Sequence, residues 1–140
     1  MLFRSRILVL PPALDEARTS PFEDVALVYK SLRLLANEYW ELRVNGGSER
    51  MRRWRYGLET LGLCVAPSIS RSRAGEQKNE YFVNYPVGGP PNNKKFLEQH
   101  LKKGNDRDER FCFRLYFFWD KKKSLVVIGW LPSHLDTRST

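Results

Sequence analysis

The fold is decided by one stretch of the sequence, FCFRLYFFWDKKKSLVVIGWL, which occupies residues 111–131. Two apolar runs in this stretch are joined by the short polar segment 120–123, a pattern that is typical of a β-hairpin. Both runs are apolar on both faces, which indicates strands in the middle of a sheet. We therefore expect a central hairpin over about residues 110–131, covered on at least one side by helices.

Arg114 lies in the middle of the first apolar run. Because successive residues of a strand point to opposite faces, Arg114 shares its face with Cys112, Tyr116 and Phe118. Burying an arginine without a partner is costly. Arg114 is therefore expected either to form an internal salt bridge or to lie on the floor of a groove, where a strand arginine can bind phosphate.

Two amphipathic helices are predicted before the hairpin. The first covers about residues 21–44, with Ser20 as its N-cap, and the second covers about residues 48–61 and ends at Gly62. The short link between them predicts an antiparallel helical hairpin. A third, short helix is predicted over residues 93–103, between the strands of the second half.

The remaining apolar segments predict further strands, at residues 7–10, 63–68 and 80–86. A length of 140 residues suits one domain. An aromatic content of 13% excludes a disordered chain. The expected fold is a single α+β domain over residues 1–140.

The charge of the chain indicates an anionic partner. The formal net charge is +8, and +6 of it lies in residues 71–140. This balance excludes a generic acidic enzyme, but nucleic acid, an acidic protein and an anionic membrane surface all fit it. The longest apolar runs are far shorter than the ~20 residues that a membrane-spanning helix needs, so no membrane span is expected.

The sequence offers little for metal or cofactor chemistry. Its two cysteines, Cys64 and Cys112, lie in apolar stretches and are expected to be buried free thiols in a reducing cytoplasm. Neither the cysteines nor the two histidines have the spacing of metal ligands. The sequence also contains no phosphate-binding glycine loop, dinucleotide fingerprint or nucleophile elbow. We therefore predict no metal and no cofactor.

Two candidate catalytic residues besides Arg114 lie in the polar tail after the hairpin. His134 could act as a general acid or base beside a phosphate, and Arg138 could stabilise the charge of a transferring phosphoryl group. The candidate nucleic-acid-binding residues lie in a basic loop, in the polar link before the central strand and on that strand: Arg71, Arg73, Lys102, Lys103, Arg107, Arg110 and Tyr116. For the link, the alternative is a solvated loop whose charges pair with one another.

The order of the elements resembles the small RelE/ParE/HigB-like toxins, in which a helical hairpin packs on a twisted antiparallel β-sheet. The local match covers residues 114–118, the turn 120–123 and residues 125–129, which look like the family's arginine–apolar–tyrosine strand, tight turn and last apolar strand. In RelE-like members an arginine at the position of Arg114 contacts the scissile phosphate. The family's basic tail supplies further active-site side chains, a place taken here by His134 and Arg138.

This chain departs from the family pattern at the lysine pair that is usual on the strand before the arginine. Lys102 and Lys103 are only rough substitutes for that pair, and the short helix over residues 93–103 would be an insertion.

The resemblance implies a metal-independent endoribonuclease that cleaves messenger RNA, often on the ribosome, by attack of the ribose 2′-hydroxyl on the adjacent phosphate. It also implies a bacterial, cytoplasmic toxin held by an acidic antitoxin protein. Two alternatives remain open at this point: a non-catalytic nucleic-acid-binding or regulatory module, and a ParE-like protein inhibitor of a topoisomerase.

Overall fold

The computed structural model describes residues 6–68, 81–85, 94–105, 107–133 and 135. They form a mixed α+β fold with one five-stranded and one two-stranded sheet. The strands, in chain order, are β1 (Ile7–Val9), β2 (Cys64–Pro67), β3 (Phe82–Asn84), β4 (Lys94–Phe96), β5 (Gln99–Lys103), β6 (Phe113–Asp120) and β7 (Leu125–Trp130). The large sheet has the order β1-β7-β6-β5-β2, with β1 and β7 parallel and the other pairs antiparallel. The predicted α+β class is thus confirmed.

The described residues contain four α-helices: α1 (Pro11–Thr19), α2 (Val25–Leu34), α3 (Trp40–Asn45) and α4 (Ser48–Leu61). A π-helical segment, Leu35–Tyr39, joins α2 to α3 directly, so residues 25–45 follow one helical path. This path ends at Gly46 (φ 66°), and α4 ends at Gly62 (φ 72°), as the glycines in the sequence predict. Helices α2 to α4 pack together and cover one face of the sheet.

Strand β6 is buried on both faces, as its sequence predicts. Phe113, Leu115 and Phe117 are fully buried among the side chains of the helices. Tyr116 and Phe118 point to the opposite face and belong to a second core. The other buried members of that core are Leu10, Tyr81, Tyr85, Leu97, Val127 and Leu135. The small β3–β4 sheet therefore lies over the face of the large sheet that the helices leave open.

Tyr39, the last residue of the π-helical segment, is the aromatic centre of the contact between helices and sheet. Its ring centroid lies 4.9 Å from that of Trp54 in α4 and 5.4 Å from that of Phe117 in β6. Burial raises the pKa of Tyr39, and Nη1 of Arg43 donates a hydrogen bond to its hydroxyl. The wider turn of a π-helix changes the direction of the side chains that follow it, and here it places Tyr39 between α4 and β6.

The helix predicted over residues 93–103 is wrong, because this segment forms β4 and β5. Strand β5 pairs on both sides, with β2 and with β6, and cross-strand packing of this kind overrides local propensity. Leu97 and Leu101 have helical spacing, yet they belong to different cores. Their spacing alone therefore does not distinguish the two structures.

The sequence analysis also missed α1 and placed the start of the next helix at residue 21. Two prolines open α1, where the absence of their N–H groups leaves no hydrogen bond unmade. The hydroxyl of Ser20, the predicted N-cap, accepts a hydrogen bond from the backbone N–H of Phe22. The N-cap of α2 is instead Asp24, whose carboxylate accepts from the backbone N–H of Leu27.

Gly129 in β7 allows the second face of the sheet to be covered closely. A Cβ atom at this position would lie 2.5 Å from Cδ2 and 2.8 Å from Cδ1 of Leu97. Leu97 is fully buried, so its side chain has little room to move away. The missing side chain at position 129 therefore makes room for Leu97 against β7.

We expect Gly129→Ala to lower the free energy of unfolding by about 1–3 kcal/mol, because it overpacks a filled core. Denaturant unfolding, followed by tryptophan fluorescence, measures this change. In the double variant Leu97→Ala/Gly129→Ala the loss should be smaller than the sum of the two single losses by at least ~0.5 kcal/mol, since residues in contact couple. Strictly additive losses would contradict the packing described here.

Candidate phosphate-binding site

Four side chains with acid–base or anion-binding chemistry form a two-by-two arrangement on β5 and β6, which we call the β5–β6 array. Lys102 pairs in register with Arg114, and His100 pairs with Tyr116. The rings of His100 and Tyr116 are stacked, with centroids 5.2 Å apart and planes 13° apart. Because residues two apart on a strand share a face, all four side chains lie on the face away from the helices.

Arg114 is only 7% exposed, and its guanidinium is held by backbone carbonyls. Its Nη1 donates to the carbonyl of Gly104 (2.9 Å) and to that of Phe113 (2.8 Å). Among the residues that the structure describes, no carboxylate lies within ion-pair distance of Arg114. The internal salt bridge considered for Arg114 is therefore not found within this part of the chain.

Lys102, the cross-strand partner of Arg114, brings a second cationic side chain to the same face of the sheet. It is half-buried, and within the described ranges it too has no carboxylate at ion-pair distance. Like charges directly opposite one another on neighbouring strands repel and destabilise the pair. An anion between Lys102 and Arg114 would remove this repulsion, which makes the array a candidate phosphate site.

Tyr116 connects the array to the end of the chain. Its hydroxyl accepts a hydrogen bond from the backbone N–H of Leu135 (3.1 Å), and the backbone N–H of Arg114 donates to the carbonyl of Pro132 (2.7 Å). Burial raises the pKa of Tyr116, so its hydroxyl stays protonated at neutral pH. Its ring, predicted from the sequence to stack on a base, is 1% exposed and packs against His100 and Tyr81.

Two of the predicted binding residues, Lys103 and Arg110, lie away from the array. Lys103 is in register with Phe113, and its Nζ donates to the carbonyl of Leu61 at the end of α4. With Arg110 it lines a cleft of about 520 Å³, whose other walls include Phe22, Glu23, Asp24 and Phe111. The predicted binding residues Lys102, Lys103 and Arg110 therefore lie on two different surfaces.

Arg110 is largely neutralised by its neighbour Asp108. Its Nε and Nη2 hydrogen-bond both carboxylate oxygens, and this contact lowers the pKa of Asp108. The guanidinium also lies 4.9 Å from the ring centroid of Phe111, which is 51% exposed. Arg107 is exposed. The sequence analysis left open that charges in this link pair with one another. For Arg110 the structure shows such a pair, with Asp108.

Four further candidates fall outside the described residues: Arg71, Arg73, His134 and Arg138. Of the candidate residues that are described, Lys102, Arg114 and Tyr116 come together in the array.

The sequence analysis missed His100 as a candidate. The signal was the alternation of His100, Leu101 and Lys102, which in a strand puts the histidine and the lysine on one face. Leu101 is fully buried in the core below the helices, whereas the side chains beside it point away from that core. Because the segment was predicted to be a helix, His100 and Lys102 were not predicted to share a face.

Comparison with known proteins adds no assignment: no family model, no curated protein and no solved structure matches this chain. The resemblance to RelE-like toxins therefore stays a prediction. Within the described part of the chain, no group of three or more His, Cys, Asp or Glu residues is placed to hold a metal ion. The helices described here include none that is long and apolar enough to cross a membrane.

We expect Lys102→Gln to raise the free energy of unfolding by about 0.2–1 kcal/mol at low salt, because it removes the like-charge contact with Arg114. The gain should shrink in 1 M NaCl, where the Debye length is only ~3 Å. Urea unfolding at the two salt concentrations measures both effects.

The matched control for this prediction is Lys94→Gln, since Lys94 is an exposed strand residue that pairs with the neutral Asn84. Its stability should not respond in this way. An equal gain in both variants, or a loss in Lys102→Gln, would show that repulsion across the array is not significant.

Proposed function

We propose that this protein is a metal-independent endoribonuclease that cleaves messenger RNA, with the β5–β6 array as its phosphate site. The observation that carries the proposal is the cross-strand pairing of Lys102 with Arg114, two cations that have no carboxylate partner among the described residues. His100 lies two residues before Lys102, on the same face of the sheet. A phosphodiester supplies the negative charge that this arrangement lacks.

Three members of the array have chemical roles in this proposal. Lys102 and Arg114 bind the phosphate and stabilise the charge that develops on it. His100, together with the sequence-predicted His134 and Arg138, provides acid–base and charge-stabilising groups. The 2′-oxygen bonds to phosphorus while a base takes its proton, and the bond from phosphorus to the 5′-oxygen breaks as that oxygen gains a proton. The products are a 2′,3′-cyclic phosphate and a 5′-hydroxyl.

In this proposal the phosphate reaches the array past β2, the edge strand of the large sheet. His100 and Arg114 are each 7% exposed, Lys102 is half-buried, and Cys64, which pairs with Lys102, is exposed. A phosphate that enters at this edge meets Lys102 first. The same proposal includes the partners implied by the resemblance, namely an acidic antitoxin and the ribosome, in the cytoplasm.

Non-catalytic RNA binding is a second candidate function, and one observation favours it specifically. Two hydrogen bonds to backbone carbonyls hold the guanidinium of Arg114 in place, as in an arginine that has a structural role. In that case the array binds phosphate without assisting its transfer. Wild-type protein would then bind single-stranded RNA and leave it intact.

The test is cleavage of a mixed-sequence single-stranded RNA by the purified protein in excess EDTA. We expect Lys102→Gln and His100→Gln to slow cleavage by about 100-fold or more, as loss of a charge-stabilising or acid–base group does. Lys94→Gln should cleave at the wild-type rate, because Lys94 is exposed on a different sheet. A thermal melt of each variant separates loss of activity from loss of fold.

Three outcomes would contradict the nuclease proposal. The first is binding of the RNA without cleavage by the wild type, which identifies the second candidate function. The second is loss of cleavage in EDTA, which identifies a metal-dependent reaction. The third is wild-type cleavage by both array variants, which places the reaction elsewhere on the protein. A fully 2′-deoxy substrate must remain intact if the 2′-hydroxyl is the nucleophile.

A further inference from the structure

A second surface, unrelated to the array, lies between α2 with its π-helical continuation and α4. It is a groove of about 560 Å³ on the exposed side of the helical pair. Its floor is apolar and is formed mainly by Leu34, Gly57 and Leu61. None of the array residues lines it. We call it the helical groove.

Gly57 brings the two helices close together beneath the groove. A Cβ atom at this position would lie 2.3 Å from Cδ1 of Leu34. The aliphatic side chains of Leu34 and Leu61 therefore form the base of the groove, and the long polar side chains of the two helices form its rim. Tyr56, at the rim, is 70% exposed, so an aromatic surface borders the apolar floor.

The rim of the groove is strongly basic. Four of its lining residues are cations, namely Lys30, Arg33, Arg52 and Arg53, whereas Glu38 is its one acidic lining residue. Arg52 and Arg53 share the carboxylate of Glu49. Within the described residues, Lys30 and Arg33 have no carboxylate at ion-pair distance. The rim therefore carries an excess of positive charge over an apolar floor.

The dimensions of the groove match a short helix. The lining residues run from 30 to 38 on one helix and from 52 to 61 on the other. At 1.5 Å per residue these segments are about 12–14 Å long, which is the length of about two and a half helical turns. A helix of this length presents apolar side chains at positions i, i+3, i+4 and i+7 to a groove.

We propose that the helical groove binds an acidic amphipathic helix of a protein partner. The apolar face of that helix covers Leu34 and Leu61, and its carboxylates face Lys30 and Arg33. Charge complementarity selects an acidic partner, and the aliphatic floor selects a helix with an apolar stripe over the phosphate-rich backbone of RNA. The proposal rests on the acidic protein partner of the proposed function and gives that partner a surface, but it does not depend on RNA cleavage, because the two surfaces share no residue.

The experiment titrates the full-length protein into a fluorescein-labelled, designed 14-residue helical peptide with leucine at i, i+3, i+4 and i+7 and glutamate at most other positions. Anisotropy gives the dissociation constant. We expect Lys30→Glu/Arg33→Glu to weaken binding by about 10-fold or more, since it replaces two attractions by two repulsions. Both residues are exposed, so circular dichroism should show an unchanged fold.

The matched control is Lys121→Glu/Lys122→Glu, which changes the net charge equally in the exposed turn between β6 and β7. It should alter the dissociation constant less than ~2-fold, because exposed charges outside the site act only through the screened long-range field. Lys102→Gln should bind the peptide as the wild type does, and Lys30→Glu/Arg33→Glu should keep the wild-type rate of RNA cleavage. These two variants separate failure of this proposal from failure of the nuclease proposal.

Three results would overturn the proposal. No peptide binding by the wild type at 100 μM shows that the groove does not accept an acidic helix. Equal weakening in the groove and control variants shows non-specific attraction to a basic protein. Wild-type peptide binding by Lys30→Glu/Arg33→Glu, with weakened binding of single-stranded RNA, identifies the groove as an RNA surface.

Discussion

The burial of β6 on both faces is the constraint on which the rest of the structure depends. Phe113, Leu115 and Phe117 require an apolar layer on one side, and Tyr116 and Phe118 require one on the other. Each such side chain contributes roughly 1.5–3 kcal/mol when fully buried. The helices supply the first layer, and the small β3–β4 sheet supplies much of the second. Two layers thus follow from one eight-residue strand.

Arg114 is the exception within that strand, and it shows where stability alone does not explain the sequence. Its two hydrogen bonds to carbonyls offset part of the cost of burying a guanidinium. The opposed charge of Lys102 then adds repulsion. An apolar pair of similar volume would avoid both costs. In the proposed function, a bound phosphate would offset the cost of this pair of cations.

The parts of the fold that were predictable carry local signals. The β6–β7 hairpin has two apolar runs and a polar turn, and helices α3 and α4 end at glycines with positive φ. Strand β5 carries no such signal, because its pairing with β2 and β6 is set by distant residues. The wrong helix prediction for this segment also affected the predicted phosphate site. In a helix His100 and Lys102 point to nearly opposite sides. In a strand they share a face, and Lys102 and Lys103 point to opposite faces.

The array and the helical groove are separated by the packed layers between them. Side chains of the array share the second core's face of the sheet, whereas the groove lies on the exposed side of the helices. The helical layer alone is about 10 Å thick, so a helix in the groove makes no contact with the array. An acidic helix in the groove would therefore leave Lys102 and Arg114 uncovered. A partner that blocks RNA must reach the array with a further segment, since neutralising the groove does not close it.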